Sequence, residues 1–468
     1  MRLLHRRKNF ILLGISLLLS IYVAIAAIPY SGKIYISEET RNAFSMDNFF
    51  GDEIIPEQVM LLEDPIEAFF HRVNIISNAQ SQINIATYAM NRGTSTDIIV
   101  GALLSAANRG VRVKIITNER IGGMPPSYRR VLSTHENISV YWYNKFELTK
   151  PHYLNSFFHD KYITIDNRFM ILGGRNMSDR FFNPDCFDGH LTLDLEVLVY
   201  NTDTDFAGSI ADVNSLFADK LATRHTSLFT ARTRREWEEH KAHYIGLYEA
   251  YKEGLQSYNF DYASNTVAVN RITLLANSIE GTKRDSVIAY NLMMIGMHSD
   301  KIIAQSPYLS MTRRSIEMLG MMTRGRDAIL LTNSLASTTN VPAFSNYYIN
   351  RRFILEATGM TIYEYQDTNS SLHGKAYLFD GRLTAIGSFN LNERSMRSDT
   401  ETMLVIDSEE LLEVMLESFN RFLDLSLQVG NNNRYILCNY VDEAHVSGRK
   451  RVLYAAAGQL LRGLRFLF

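Results

Sequence analysis

His159-Asp160-Lys161-Tyr162-Ile163-Thr164-Ile165-Asp166, followed after six residues by Gly173-Gly174-Arg175-Asn176, is the stretch around which the chain is organised. It has a second copy: His373-Gly374-Lys375-Ala376-Tyr377-Leu378-Phe379-Asp380, then, again after six residues, Gly387-Ser388-Phe389-Asn390. Two copies with every interval kept are far rarer than one chance match, so the chain contains an internal duplication. Strand side chains alternate between faces, so His159 and Lys161 project together, as do His373 and Lys375. The apolar runs between Lys and Asp suit buried strands. Asp166-Asn167-Arg168 and Asp380-Gly381-Arg382 then read as hairpin turns. The returning strands end at Gly173-Gly174 and Gly387-Ser388, small residues that leave room for a phosphate at the backbone. Asn176 and Asn390 follow. Imidazole, ammonium and amide groups gathered at one point suit a phosphate ester.

Working outward, each half repeats the same order of elements. The first half predicts a helix after Asp64-Pro65 through Ile75, and a strand from Ile83 to Tyr88. A helix capped by Ser95 then runs to Ala107, stopped by Arg109-Gly110, and strands follow over Val111 to Thr117 and Ile138 to Tyr143. The second half predicts a helix over Asp285 to Met297, a strand over Lys301 to Gln305 and a helix over Arg313 to Met322, stopped by Arg324-Gly325. Strands over Ala328 to Thr332 and Thr361 to Tyr365 complete it. This order is that of an α/β layer. The methionines at 293, 294, 297, 318, 321 and 322 read as core filling. The charged run Arg234 to Glu239 reads as a solvated helix face.

At these motifs the chain resembles the phospholipase D superfamily, and among its branches the bacterial cardiolipin synthases of the C type. Further stretches carrying the resemblance are Ser306-Pro307-Tyr308, Thr332-Asn333-Ser334-Leu335-Ala336 and Gly387-Ser388-Phe389-Asn390-Leu391. It implies two similar phospholipase D-like α/β/α sandwich domains packed with pseudo-twofold symmetry, so that both motifs serve one site. The expected catalytic motif residues are His159, Lys161, Asp166, His373, Lys375 and Asp380. His159 attacks phosphorus and forms a phosphohistidine; His373 protonates the leaving alcohol and deprotonates the incoming one. An imidazole with a pKa near 6.5 suits both tasks. Asn176, Asn390, Ser388 and Gly174 form the expected phosphate-binding set, with the two lysines on the nonbridging oxygens. The two Asp aspartates are expected to turn the hairpins rather than to act as acid or base. A nucleophilic imidazole needs its second nitrogen held. Asp194-Leu195-Glu196 and Asp399-Thr400-Glu401 each open an apolar strand, and by the resemblance Glu196 is assigned to His159 and Glu401 to His373. No metal or other cofactor is implied.

Lys and Arg (48) nearly balance Asp and Glu (50), a formal charge of −2. That balance disfavours a nuclease, which normally shows a basic face. Arg2, Arg6, Arg7 and Lys8 precede an uncharged run from Phe10 to Ile28, long enough to cross about 30 Å of hydrocarbon. The run reads as an anchor with the catalytic body outside the cytoplasm, or, if cleaved near Ala24-Ile25-Ala26, as a secretory signal. Arg449, Lys450, Arg451, Arg462 and Arg465 mixed with leucines read either as a basic amphipathic helix on a membrane or as a docked terminal helix, the resemblance favouring the membrane. Cys186 and Cys438 read as independent small core residues. The expected divisions are an amino-terminal segment over 1–30, a first domain over 31–211, a helical connector over 212–265, a second domain over 266–430 and a tail over 431–468. The leading function is transfer of a phosphatidyl group to make cardiolipin, with phosphatidylglycerol and phosphatidylethanolamine as candidate substrates and no nucleic acid. Hydrolysis to phosphatidic acid, nucleic-acid cleavage and noncatalytic lipid binding follow in that order.

Overall fold

The computed structural model describes residues 2–27, 32–119, 121–145, 147–256, 258, 260–277 and 285–467. Ile28, which ends the expected anchor, and Phe468 of the basic tail lie outside them.

Each half builds one mixed sheet around its motif hairpin. In the first, the strands Gln82–Thr87, Arg112–Asn118 and Ile138–Tyr143 run parallel. The hairpin Tyr162–Ile165 and Phe169–Gly173 joins this group antiparallel through Gln82–Thr87. Glu196–Asn201 and Glu57–Leu62 extend the sheet on the far side. In the second half Lys301–Gln305, Asp327–Asn333 and Thr361–Tyr365 run parallel, and the hairpin Ala376–Phe379 and Leu383–Gly387 takes the same place. Thr402–Asp407 and Arg271–Ala276 complete it. The sheets have the same strand order at their centres, the structural form of the duplication.

The predicted elements fall where the periodicity places them, and the stops have the expected cause. Gly110 and Gly325 take positive φ (96° and 77°) after their helices, a conformation that costs glycine little. The hairpins turn on Asp166 and Asn167 (φ 52° and 51°) and on Asp380 (φ 48°). Ser95 does not cap its helix: the helix is Thr94–Asn108, and the Asp179 carboxylate accepts from Thr94 N and Ser95 N. A cap supplied from a distant segment is invisible to a local pattern.

The halves meet across a third apolar core drawn from both, including Leu172, Val197, Ile303, Leu331, Ile386 and Leu404. The parallel pair Leu191–Leu193 and Ser370–Leu372 stitches them together. The stretch expected as a helical connector over 212–265 is not helical throughout: it begins inside helix Ser209–Ala222, and Thr226–Phe229 adds an edge strand to the first sheet. Helix Arg235–Leu255 lies on Thr94–Asn108, with Trp237, Tyr244 and Tyr248 buried. Its Arg234 to Glu239 run is exposed apart from Trp237, as a solvated face should be.

Helix Arg2–Ala27 is formed, and its apolar side chains from Ile11 to Leu19 are exposed. Among the described residues no helix is long and apolar enough to cross a membrane. The terminal helix Gly448–Leu460 docks on Val341–Thr358 through Tyr454 and Gly458. The docked reading of this tail therefore holds for one face, while Val452, Leu453 and Leu460 are exposed on the other. Cys186 is exposed rather than a core residue; both cysteines are free. Met297 and Met321 are exposed as well, whereas Met293, Met318 and Met322 line an apolar cavity with Leu292 and Phe389.

Candidate active site

The two motif strands end at the interface, and His159 and His373 line one open cleft there, with Tyr88, Asn176, Tyr308 and Asn390. Each imidazole feels the ammonium of the other motif, Lys375 for His159 and Lys161 for His373. The duplicated sequence is therefore one site.

His159 Nδ1 lies 2.9 and 3.0 Å from the two Glu401 oxygens. Glu401 also accepts from Ser388 Oγ and Ser395 Oγ, each at 2.5 Å. Those hydroxyls in turn accept from Thr402 N and Asn390 N, so their protons face the carboxylate. Nδ1–H then donates to Glu401 and the lone pair is left on Nε2. Thr400 Oγ1 accepts from His159 N at 3.0 Å, across the domain interface.

His373 Nδ1 lies 2.5 Å from Asp194 Oδ2, and His373 N donates to Leu193 O at 2.6 Å. Lys375 Nζ sits 2.8 and 3.1 Å from the two ring nitrogens of His373. Lys161 Nζ donates to the carbonyl of His159, at 2.6 Å, and Lys375 Nζ likewise donates to that of His373; among the described residues, only Lys375 also contacts its own imidazole ring.

The geometry corrects the expected partners. Glu401 holds His159, not His373. Glu196 holds neither: it is buried between Arg72 Nη2, at 2.7 Å, and Arg175 Nε, at 3.2 Å. The carboxylate on His373 is Asp194. Both orienting pairs thus cross the interface, each imidazole held by the opposite half. Ser388, expected to bind phosphate, is occupied by Glu401. Gly174 is small for a different reason from the expected one: a Cβ there would strike the Asp194 carboxylate. Asn176 and Asn390 do line the cleft, each with a side-chain oxygen unpartnered among the described residues. Asp166 accepts from Gln80 N, Ser81 N and Gln82 N, and Asp380 from Asp300 N and Lys301 N. These aspartates tie each hairpin to the neighbouring strand and stand away from the cleft.

Sequence signals for the true partners exist in hindsight. Arg175 occupies the motif position that Phe389 fills in the second copy, and a buried guanidinium requires a carboxylate. That requirement takes Glu196 and leaves Asp194 for the cleft. Ser388 in place of Gly174 marks the half in which the glutamate is the imidazole's partner. Asp160, between the two motif residues, pairs with Lys220 at 2.8 Å, both fully buried; its counterpart is Gly374, where a Cβ would meet Leu195 and Gln305.

Burial, reinforced by Lys161, holds the His159 imidazole well below its usual range. Burial and then Lys375 push His373 down to about 3. Against its burial, Lys375 and His373 hold Asp194 down to about 2. Burial pushes the Glu401 carboxyl up, opposed by Lys161 and the two serine hydroxyls. Burial also lowers Lys161 to about 8 and Lys375 to about 7. Both imidazoles are therefore neutral in the free enzyme, and kcat/KM, which reports that form, should keep its acid limb below the usual histidine range. An ammonium is charged below its pKa. The alkaline side should accordingly fall as pH rises through about 7 to 8, as Lys375 and then Lys161 lose their protons. A pH profile of kcat/KM, flat through that interval, would contradict the assignment of both lysines to substrate phosphate.

The model of the family described as "Cardiolipin synthase, PLD-like domain" matches residues 73–213 and 292–423, one span on each half and together more than half of the chain. The chain belongs to that family. The two spans hold both imidazoles, both orienting carboxylates and both asparagines of the cleft. Within this phospholipase D-like group, the chain is 26% identical to cardiolipin synthase C of Escherichia coli, over 76% of this chain and 83% of that one. It is also 26% identical to an uncharacterised protein of Helicobacter pylori, over 75% of this chain and 76% of that one. The fold is similar to that of phosphatidylserine synthase from Haemophilus influenzae (TM-score 0.65, 14% identity, 92% of this chain and 100% of that one). The chain is a cardiolipin synthase-like enzyme of the phospholipase D superfamily.

Proposed function

We propose that the chain is a membrane-associated phosphatidyltransferase that joins two phospholipids into cardiolipin through a phosphohistidine. The observation that carries this reading is the unequal equipment of the two imidazoles in one cleft. An ammonium lies against both ring nitrogens of His373, which makes that ring a poor nucleophile and a ready partner for proton exchange. Both lysines donate to the carbonyl of their own histidine, but among the described residues Lys161 makes no such contact with the His159 ring, whose Nδ1 is held by Glu401.

In the first step Nε2 of His159 attacks the phosphorus of phosphatidylglycerol. His373, neutral in the free enzyme, takes up a proton once the anionic phosphodiester lies beside it. The bond from phosphorus to the headgroup oxygen then breaks, and the His373 imidazolium gives that oxygen its proton, releasing glycerol. In the second step a hydroxyl of another phosphatidylglycerol attacks phosphorus and His373 takes its proton. The N–P bond breaks and cardiolipin leaves. Splitting the displacement lowers the barrier of each half. Lys161, Lys375, Asn176 and Asn390 hold the nonbridging oxygens, where charge builds in the transition state. Support for a lipid partner comes from the likeness to cardiolipin synthase C. The exposed apolar side chains of Arg2–Ala27 add to it, since that helix packs against the turn Pro151–Asn155 and Asn155 lines the cleft.

The test is incubation of the purified protein with phosphatidylglycerol vesicles, with and without phosphatidylethanolamine. Cardiolipin with release of glycerol is expected. Phosphatidic acid alone would replace transfer with hydrolysis, and plasmid cleavage without lipid turnover would replace both with a nuclease.

A further inference from the structure

A transferase of this kind must hold a second phosphate. The donor phosphorus sits between the imidazoles and uses the two motif lysines. An acceptor phospholipid presents its hydroxyl to that phosphorus while carrying its own phosphodiester anion beside it. Burying that anion in the cleft without a cation would be costly.

Two arginines line the cleft, and they differ in what they already hold. Arg394 is committed: it donates from Nε and Nη2 to Asp399, at 3.0 and 2.7 Å, and from Nη1 to Asn155. Arg180 is half-buried and donates from Nε to Thr192 Oγ1 at 2.7 Å. It has no carboxylate partner among the described residues. Its position is fixed from two sides. It follows Asp179, whose carboxylate caps the helix Thr94–Asn108, and Thr192 lies on Leu191–Leu193, the strand that pairs with Ser370–Leu372 directly before His373. Its guanidinium carbon is 5.6 Å from the centre of the Phe181 ring, which itself packs 5.3 Å from the His373 ring. With Nε anchored, the two Nη groups are left as a preorganised pair of donors one side chain away from the imidazole that would activate the acceptor.

We infer that Arg180 is the acceptor-phosphate residue: a specificity-determining guanidinium that binds the phosphodiester of the incoming lipid and so favours a phosphate-bearing alcohol over water or a neutral alcohol. The inference rests on the phosphatidyltransferase reading. A guanidinium suits the task because its fork matches two phosphate oxygens and stays charged throughout the working pH range.

The experiment supplies phosphatidylglycerol vesicles together with ethanol, so that one phosphohistidine pool partitions between cardiolipin and phosphatidylethanol. The ratio of the two products does not depend on how much of a variant is folded. Arg180→Ala is expected to lower the cardiolipin-to-phosphatidylethanol ratio by about tenfold or more, the scale of one charge-assisted contact. Arg180→Lys should recover part of the loss. A second arm replaces the lipid acceptor with glycerol phosphate, against ethanol as before, and the same fall is expected there. A ratio unchanged in Arg180→Ala overturns the inference. A loss confined to the vesicle acceptor also overturns it, since Arg180 would then act on the lipid surface and not on phosphate. If the native protein makes phosphatidylethanol but no cardiolipin, the cardiolipin reading fails by itself, and the glycerol phosphate arm still decides the role of Arg180.

Discussion

Replacing His159 with alanine is expected to abolish turnover, by about 10^3-fold or more, and His373→Ala should do the same. The two losses have different origins. In the proposed mechanism, removing His159 removes the nucleophile and with it the covalent intermediate. In the same mechanism, removing His373 leaves the departing alcohol unprotonated and the acceptor unactivated. Residues that act as one unit lose most of the rate singly, so the double variant should be little worse than either. Product formation from phosphatidylglycerol measures the effect, and thermal melting separates it from unfolding. Neither ring is part of an apolar core cluster, so both variants should melt close to the native protein. Near-normal turnover in either would mean that the two motifs do not share a site.

The second large effect concerns stability. Glu196 is 1% exposed and is the only carboxylate ion-paired among the described residues with the two buried guanidinium groups of Arg72 and Arg175. Glu196→Gln keeps the shape and removes the charge, leaving two arginines buried beside a neutral amide. Breaking a buried pair by removing one partner costs about 3–5 kcal/mol. A denaturant titration should show a loss of that size in the first domain, while the folded fraction keeps an active cleft, since Glu196 touches neither imidazole. Glu401→Gln should behave oppositely, with a large fall in kcat because the amide replaces the charged acceptor beside His159 Nδ1 and has one acceptor oxygen left for His159, Ser388 and Ser395 together. A stable but inactive Glu196→Gln protein would restore Glu196 as the orienting partner of His159.

The contrast between these two glutamates shows where the sequence is legible. Period-two strands, turn residues and the exact repeat of spacing are local, and they locate the hairpins at Asp166 and Asp380 and the helix stops at Gly110 and Gly325. The shared cleft comes from the resemblance to the phospholipase D superfamily, not from a local pattern. Partners that cross the interface were not legible. An Asp-x-Glu strand beside each motif invites pairing within one half, yet the structure uses the aspartate of one strand and the glutamate of the other, each on the opposite imidazole. The halves have diverged at Gly174/Ser388 and Arg175/Phe389, and those pairs of residues decide which acid reaches the cleft. Ser95 fails as a cap for a similar reason: the helix starts one residue earlier, and Asp179, far along the chain, accepts from its first N–H groups, Thr94 N and Ser95 N.

The central claim is a covalent phosphate carried on one specific ring. Rapid acid-free denaturation of the protein during turnover of phosphatidylglycerol labelled in its phosphate, followed by alkaline-stable peptide mapping, tests it directly. The account predicts label on the peptide that contains His159, lost in His159→Ala. Label on His373, or none on either peptide while product still forms, would contradict it.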